Sequence, residues 1–212
     1  MLRPNPEHPA LWIVAGPNGS GKSTLYSGVP IDEFDQSIWI INPDLLARHI
    51  AQVEHFAPED ANLQSVIRIE AWLRASVAAY QTIGVETVLS TPKYRPLVTS
   101  ARKKGFEVRL IYVVLNDVSK NIERVHLRVL SGGHDVPEDK IITRYQRSLR
   151  QLPWFLKNSD RAWVFDNSGP KPEIIATKQR DVVTVYPSAF PAIRNVLAPR
   201  RLRRQIQRPR KI

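Results

Sequence analysis

The run Gly16-Pro17-Asn18-Gly19-Ser20-Gly21-Lys22-Ser23-Thr24 constrains this chain more tightly than any other stretch. It fits G-x-x-x-x-G-K-[ST] at every fixed position and follows directly on the apolar segment Leu11-Trp12-Ile13-Val14-Ala15. That is the strand–loop–helix setting in which the pattern forms a phosphate-binding loop. Its glycines let the backbone curl into a nest of inward-pointing N–H groups. The helix expected to begin near Lys22 brings the positive end of its dipole to the same place. Lys22 is then within reach of the β- and γ-phosphates, and the Ser23 hydroxyl can ligate Mg²⁺. A simple glycine-rich turn has no need of lysine and serine immediately after its last glycine. The whole segment from Gly16 to Thr24 is therefore assigned to binding ATP or GTP with Mg²⁺.

The rest of the chain alternates strand and helix patterns, which argues for a parallel sheet covered on both faces. Strands are expected at 11–16, 37–41, 85–90, 107–114 and 162–166. A long helix is expected over 58–82, opening with Pro58-Glu59-Asp60 and carrying Ile67, Ala71, Arg74 and Ala78 on one stripe. Thr91-Pro92 reads as an N-cap followed by proline at the first helical position, with the helix ending at Lys103-Lys104-Gly105. Asp117 caps a further helix that Gly132-Gly133 ends, and Pro137-Glu138-Asp139 opens the next, through Ile142, Tyr145 and Leu149. Residues 173–177 and 182–186 flank Lys178-Gln179-Arg180-Asp181 as a hairpin on the sheet edge. The expected fold class is α/β: a three-layer α/β/α P-loop NTPase with a mostly parallel sheet, a small C-terminal β-hairpin and a basic tail.

Length and composition agree with this. At 212 residues the chain suits one domain with a full core, expected over 1–199, followed by a basic, disordered tail expected at 200–212. No apolar run reaches the roughly 20 residues of a membrane span, and the proline-rich start, Met1 to Pro9, has no signal-peptide core. The absence of cysteine excludes disulfides and thiolate metal sites and fits a cytoplasmic enzyme. Seven basic residues and no acidic one lie between Arg200 and Ile212, and removing them from the net charge of +11 leaves +4. Such a tail can contact nucleic acid through phosphate attraction, but it has no aromatic residue for base stacking, and a solvated tail accounts for it equally.

In open α/β sheets ligands bind beyond the carboxyl ends of the strands. The second expected strand delivers Asn42-Pro43-Asp44 there, the third Ser90-Thr91 and the fifth Asp166-Asn167-Ser168. Asp44 can accept a proton from an attacking hydroxyl and touch the Mg²⁺ shell; it can also serve as a helix N-cap. Glu86, expected near the start of the third strand among Val85, Thr87, Val88 and Leu89, needs a cation or a substrate as partner. Arg124 and Arg128 precede the Gly132-Gly133 turn, and Arg144 and Arg147 follow it, so arginines from a lid are expected to neutralise a migrating phosphoryl group. Leu130-Ser131-Gly132-Gly133-His134 looks like the signature of ABC-transporter ATPases. That reading fails on context, since an amphipathic helix follows and the next apolar strand ends in Asp166-Asn167 rather than Asp-Glu.

Taken together, the chain resembles the zeta-toxin family of P-loop kinases, in its zeta-toxin-like or predicted ABC-type ATPase branch. The resemblance runs from the first strand to the terminal hairpin. It rests on Gly16 to Thr24, Ile41-Asn42-Pro43-Asp44, Glu86-Thr87-Val88-Leu89-Ser90, Arg128 with Ser131-Gly132-Gly133-His134-Asp135-Val136-Pro137, Arg144-Tyr145 and Asp166-Asn167-Ser168. It implies transfer of a phosphoryl group to a hydroxyl of a nucleotide-linked small molecule, as in UDP-N-acetylglucosamine, and an antitoxin protein as partner. It puts Asp44 on the catalytic base and metal contact, Lys22 on the phosphate-loop lysine, Arg128 and Arg144 near the γ-phosphate, and Glu86 on the substrate, with Thr91 and Lys93 beside it. The family follows its strand glutamate with glycine and closes the segment with arginine, where this chain has Thr87 and Ser90. Two rival readings stay open: an ATP-hydrolysing switch, and a nucleic-acid-associated P-loop NTPase that uses the tail.

Overall fold

The computed structural model describes residues 8–26, 38–133 and 135–197. Residues 1–7 of the proline-rich start, residues 27–37, His134 and the basic tail lie outside them. Seven strands form one sheet in the order β2-β3-β1-β4-β5-β6-β7. They are β1 (Ala10–Ala15), β2 (Ile40–Ile41), β3 (Ile83–Thr87), β4 (Glu107–Val114), β5 (Arg161–Asp166), β6 (Glu173–Gln179) and β7 (Val182–Val185). The pairings among β1 to β5 are parallel, and β6 and β7 extend the sheet antiparallel. Seven helices are described: α1 (Lys22–Tyr26), α2 (Pro43–Val53), α3 (Pro58–Ala78), α4 (Arg95–Lys103), α5 (Val118–Leu130), α6 (Glu138–Asn158) and α7 (Pro191–Leu197). This is the expected α/β architecture, a mostly parallel sheet between helical layers.

Every residue of β1 is buried, as a strand flanked on both sides and covered on both faces requires. Alternation divides its side chains. Leu11, Ile13 and Ala15 join the larger core with Ile69 and Leu73 of α3, Val98 of α4, Leu149 and Leu152 of α6 and Ile193 of α7. Trp12 and Val14 join Leu25 of α1, Ile111, Val113 and Phe165 on the other face. Tyr145 and Tyr112 pin α6 to the sheet: the Tyr145 hydroxyl donates to the Leu115 carbonyl at 2.7 Å, and the hydroxyls of Tyr112 and Ser148 lie 2.9 Å apart.

Several local expectations are corrected. The third strand covers 83–87 rather than 85–90, because Leu89 turns into the left-handed region (φ 57°) while its N–H bonds the Thr87 hydroxyl. Glu86 therefore stands near the strand's carboxyl end, not its start. Thr91 does not cap the following helix. Residues 92–95 form a turn, with Arg95 N–H on the Pro92 carbonyl, and α4 starts at Arg95 with Pro96 in its first turn. The buried stripe of α3 is Ala61, Ser65, Ile69, Leu73 and Val77; the stripe expected from Ile67, Ala71, Arg74 and Ala78 faces outward. The hairpin turn is Arg180-Asp181 alone, since β6 runs on through a buried Lys178. Helix α7 had no counterpart in the sequence reading.

Candidate active site

The phosphate-type loop leaves β1 between two neighbouring strands and is held by both. Gly16 N–H bonds the Thr87 carbonyl of β3, and a Cβ at Gly16 would stand 2.0 Å from the Val113 carbonyl of β4. With φ at 148° as well, only glycine passes this point. Three side chains from outside the loop then fix its course. Asn121 of α5 donates to the Asn18 carbonyl at 2.6 Å. Asn167, just past β5, donates to the Ser20 carbonyl at 2.9 Å, and its own carbonyl accepts from Arg124 at 2.9 Å. The amide of Asn167 would also lie 2.4 Å from a Cβ at Gly21, so the bare backbone there is what admits it. Thr24 is exposed on α1, and Ser20 and Pro17 are buried.

Lys22 is folded back over the loop, its Nζ donating to the carbonyls of Gly16 at 2.9 Å and Pro17 at 3.2 Å. Burial pulls its pKa below the ordinary value, against the opposing pull of Glu86 and then Asp44, with Arg128 again disfavouring the charge. Glu86 Oε1 stands 3.8 Å from Lys22 Nζ. Its Oε2 accepts from the Ser23 hydroxyl at 3.3 Å and from the Asn42 amide at 2.9 Å. The strand carboxylate thus has the cation its burial requires, and that cation is the loop lysine.

Asp44 is exposed in the first turn of α2. It is not the cap. Asn42 takes that role, its Oδ1 accepting from Asp44 N–H at 2.9 Å and Leu45 N–H at 3.2 Å, while the Asp44 carboxylate is close enough to favour the charge on Lys22. Arg128 is half-buried and close enough to Lys22 to bear on its charge. Arg144 reaches the Asn18 side chain at 3.5 Å, long for a hydrogen bond, while Arg147 is exposed. The glycine turn between their helices packs on Arg128, whose carbonyl accepts from Gly133 N–H at 2.9 Å.

Thr91 and Lys93 are exposed on the segment leaving β3. Lys93 pairs with Glu70 of α3 at 3.3 Å. Both line a cavity of about 520 Å³ between α3 and α4 that also takes in Arg74, Tyr94, Leu97 and Lys104. Burial, with Glu70 adding to it, pushes the Tyr94 hydroxyl up to about 12, so it stays protonated in that cavity.

Ser23 and Glu86, joined at the loop, and Asp44, close enough to bear on Lys22, are oxygen donors of the hard kind that Mg²⁺ takes. No group of three or more His, Asp or Glu side chains suited to a metal occurs among the described residues. That donor set fits an ion delivered with a triphosphate, since Mg²⁺ is ordinarily held by one or two protein oxygens plus phosphates.

Residues 11–152 match the AAA domain family. The chain belongs to the AAA domain family. A Haemophilus influenzae relative, an uncharacterized protein, is 32% identical over 143 residues, covering 64% of this chain and 96% of that one. A crystal structure of AvrRxo1-ORF1:-ORF2 with ATP superposes at a TM-score of 0.67 and 16% identity over 84% of this chain, which spans 60% of the chain it matches. A structure from the PezAT chromosomal toxin-antitoxin system of Streptococcus pneumoniae superposes at a TM-score of 0.55 and 18% identity, covering 80% of this chain and 73% of that one. At such identities the likeness is one of fold. The match spans β1 to most of α6, so this AAA domain contains the loop, Asp44, Glu86, Arg128 and Arg144 within one family unit. Among the described residues no helix is long and apolar enough to cross a membrane.

The sequence reading named the loop, Asp44, Glu86 and the arginines, Arg124 among them, but gave no role to Asn42, Asn121 or Asn167 in binding. Asparagines at strand ends and on helix faces carry no charge signal, and only the tertiary placement of the loop reveals what they hold. The one clue was position: Asn42 and Asn167 each follow an expected strand at its carboxyl end.

Proposed function

We propose that this chain is a cytoplasmic phosphotransferase of zeta-toxin type, moving the γ-phosphoryl of ATP or GTP to a hydroxyl of a nucleotide-linked small molecule such as a UDP-amino sugar. One observation carries the reading: Lys22, Ser23 and Glu86 meet at the mouth of the phosphate loop, with Asp44 close enough to bear on the Lys22 charge. In the proposed reaction Asp44 takes the proton of the acceptor hydroxyl, whose oxygen forms the new bond to the γ-phosphorus while the β–γ bridging bond breaks and the nucleoside diphosphate leaves. Lys22 would turn from the carbonyls of Gly16 and Pro17 toward the triphosphate. Arg128 and Arg144 are the side chains proposed to neutralise the migrating group. Mg²⁺, when bound, would supply charge neutralisation between the β- and γ-phosphates, with Ser23 and Asp44 the residues to hold it.

Thr91 and Lys93 follow Glu86 on the segment leaving β3, and the α3–α4 cavity that Lys93 enters is the proposed seat for the body of the acceptor. The cations Arg74, Lys93 and Lys104 on its walls suit an anionic substituent such as a diphosphate. The solved neighbours that come from a two-component complex and from a toxin-antitoxin system motivate a further proposal, that a small antitoxin protein is this chain's partner.

The test is mass spectrometry of a metabolite mixture containing UDP-sugars and dinucleotides, incubated with the protein, ATP and Mg²⁺, with Asp44→Asn as control. A phosphorylated species made by the wild type, and formed about 10²–10⁴-fold more slowly by the variant, is expected. ATP consumption with no phosphorylated acceptor would replace this reading with a hydrolytic switch.

A further inference from the structure

We propose that Asn42 is a positioning residue, the connector that sets helix α2, and with it Asp44, against the phosphate loop through Glu86. Its effect on turnover rests on the kinase reading above; the contact itself rests on geometry alone.

The orientation of the Asn42 amide is dictated by its neighbours. Its Oδ1 end faces the N–H groups of Asp44 and Leu45, which can only donate, so that end is the oxygen. The opposite end is then NH₂, which can only donate, and it meets Glu86 Oε2 at 2.9 Å. That same Oε2 accepts from the Ser23 hydroxyl, and Oε1 faces Lys22. The first turn of α2 is therefore joined to the loop lysine and serine by one planar amide and one carboxylate.

The register makes the meeting unavoidable. Ile41 of β2 pairs with Val85 of β3, so the next residues along, Asn42 and Glu86, come level at the carboxyl end of the sheet. Pro43 fixes the start of α2 directly after the extended Asn42 (φ −101°, ψ 115°). A helix N-cap needs only an acceptor, which serine, threonine or aspartate also supply. None of these presents an acceptor at one end of a planar group and a donor at the other. The requirement for a donor toward Glu86 is what singles out asparagine at this cap.

Aspartate separates the two functions, since Asn42→Asp keeps the cap acceptor but turns a carboxylate on Glu86. The charged groups facing this pair are Lys22 from the loop and Asp44 from α2, with Arg128 of α5 bearing on Lys22. Two carboxylates set against each other repel, whereas Glu86→Gln returns a donor to the pair with its polarity reversed. Asn42→Asp should lower kcat roughly 10- to 100-fold, as for a misplaced reacting group, with KM for ATP little changed. In the Glu86→Gln background the same substitution should cost about 10-fold less in kcat, the mark of a direct contact. In the nucleotide-free protein Asn42→Asp should lower the melting temperature in the wild-type background and not in the Glu86→Gln background. Asn42→Ser keeps a cap acceptor, cannot span to Glu86, and should show the kcat loss.

Equal effects of Asn42→Asp on the melting temperature in the two backgrounds would overturn the contact. A wild-type kcat in Asn42→Asp, or a kcat deficit of the same size in both backgrounds, would reduce Asn42 to a cap. If the wild type phosphorylates no acceptor, the kinase reading fails while the melting comparison still decides the connector.

Discussion

Lys22 is held in a compromise that the triphosphate is expected to resolve. Its ammonium has lost water through burial, which lowers its pKa, and Glu86 and Asp44 recover part of that loss. Phosphate oxygens beside it would favour the charged form and raise the pKa again. The sign follows directly. Between the depressed value in the free protein and the ordinary 10.5, nucleotide binding should take up a proton, and well below that window it should not. Isothermal titration in buffers of different ionisation enthalpy, repeated across a pH series, reads this linkage. Uptake that survives Lys22→Met would assign the proton to another group. The same linkage bears on folding: a lysine with a lowered folded pKa destabilises the folded state below that pKa, and the cost is relieved as pH rises toward 10.5.

Among the elements, β6 and α6 show how tertiary structure overrides local pattern. Lys178 looked like a turn residue because it precedes Gln179-Arg180-Asp181. It is instead a strand residue only 6% exposed. Its ammonium donates to the carbonyls of Lys157 at 3.0 Å and Ser159 at 2.5 Å, where α6 ends. A cation there satisfies carbonyls the helix leaves over and suits the negative end of its dipole. Burial lowers its pKa, opposed by Asp160. Lys178→Met should cost about 2 kcal/mol, the range of a hydrogen bond to a charged group, and lower the melting temperature by about 4–8 °C. An unchanged melting curve would mean that water serves those carbonyls equally well. What the sequence made legible was whatever depends on periodicity or on a local signature: the loop, the strands 107–114 and 162–166, the Asp117 cap and the Gly132 stop. The start of α4, the buried stripe of α3, Lys178 and Asn42 were not legible. Each is set by a partner far away in the chain, such as Glu86 for Asn42 or the end of α6 for Lys178, and no window of neighbouring residues contains that partner.

For the whole molecule, the open matter is whether its positive charge serves the chemistry or a second binding activity. Seven of the basic residues lie at 200–212, beyond α7 and beyond the described residues, whereas the candidate site is drawn from the loop, β3, α2, α5 and α6. The proposed phosphoryl transfer draws on none of those seven residues, whereas nucleic-acid attraction through the tail would draw on all of them. Truncation to residues 1–199 should leave kcat and KM within about twofold. Oligonucleotide binding by the full chain, if it follows counterion release, should weaken with salt along a slope of at most about −6, the figure for seven phosphate contacts on a duplex, and should vanish on truncation. The readouts are independent, so each result counts against a different claim. A truncated protein that loses turnover would make the tail part of the acceptor or nucleotide site. One that keeps both turnover and nucleic-acid binding would move the contact to the body, where the net charge of +4 offers far less attraction.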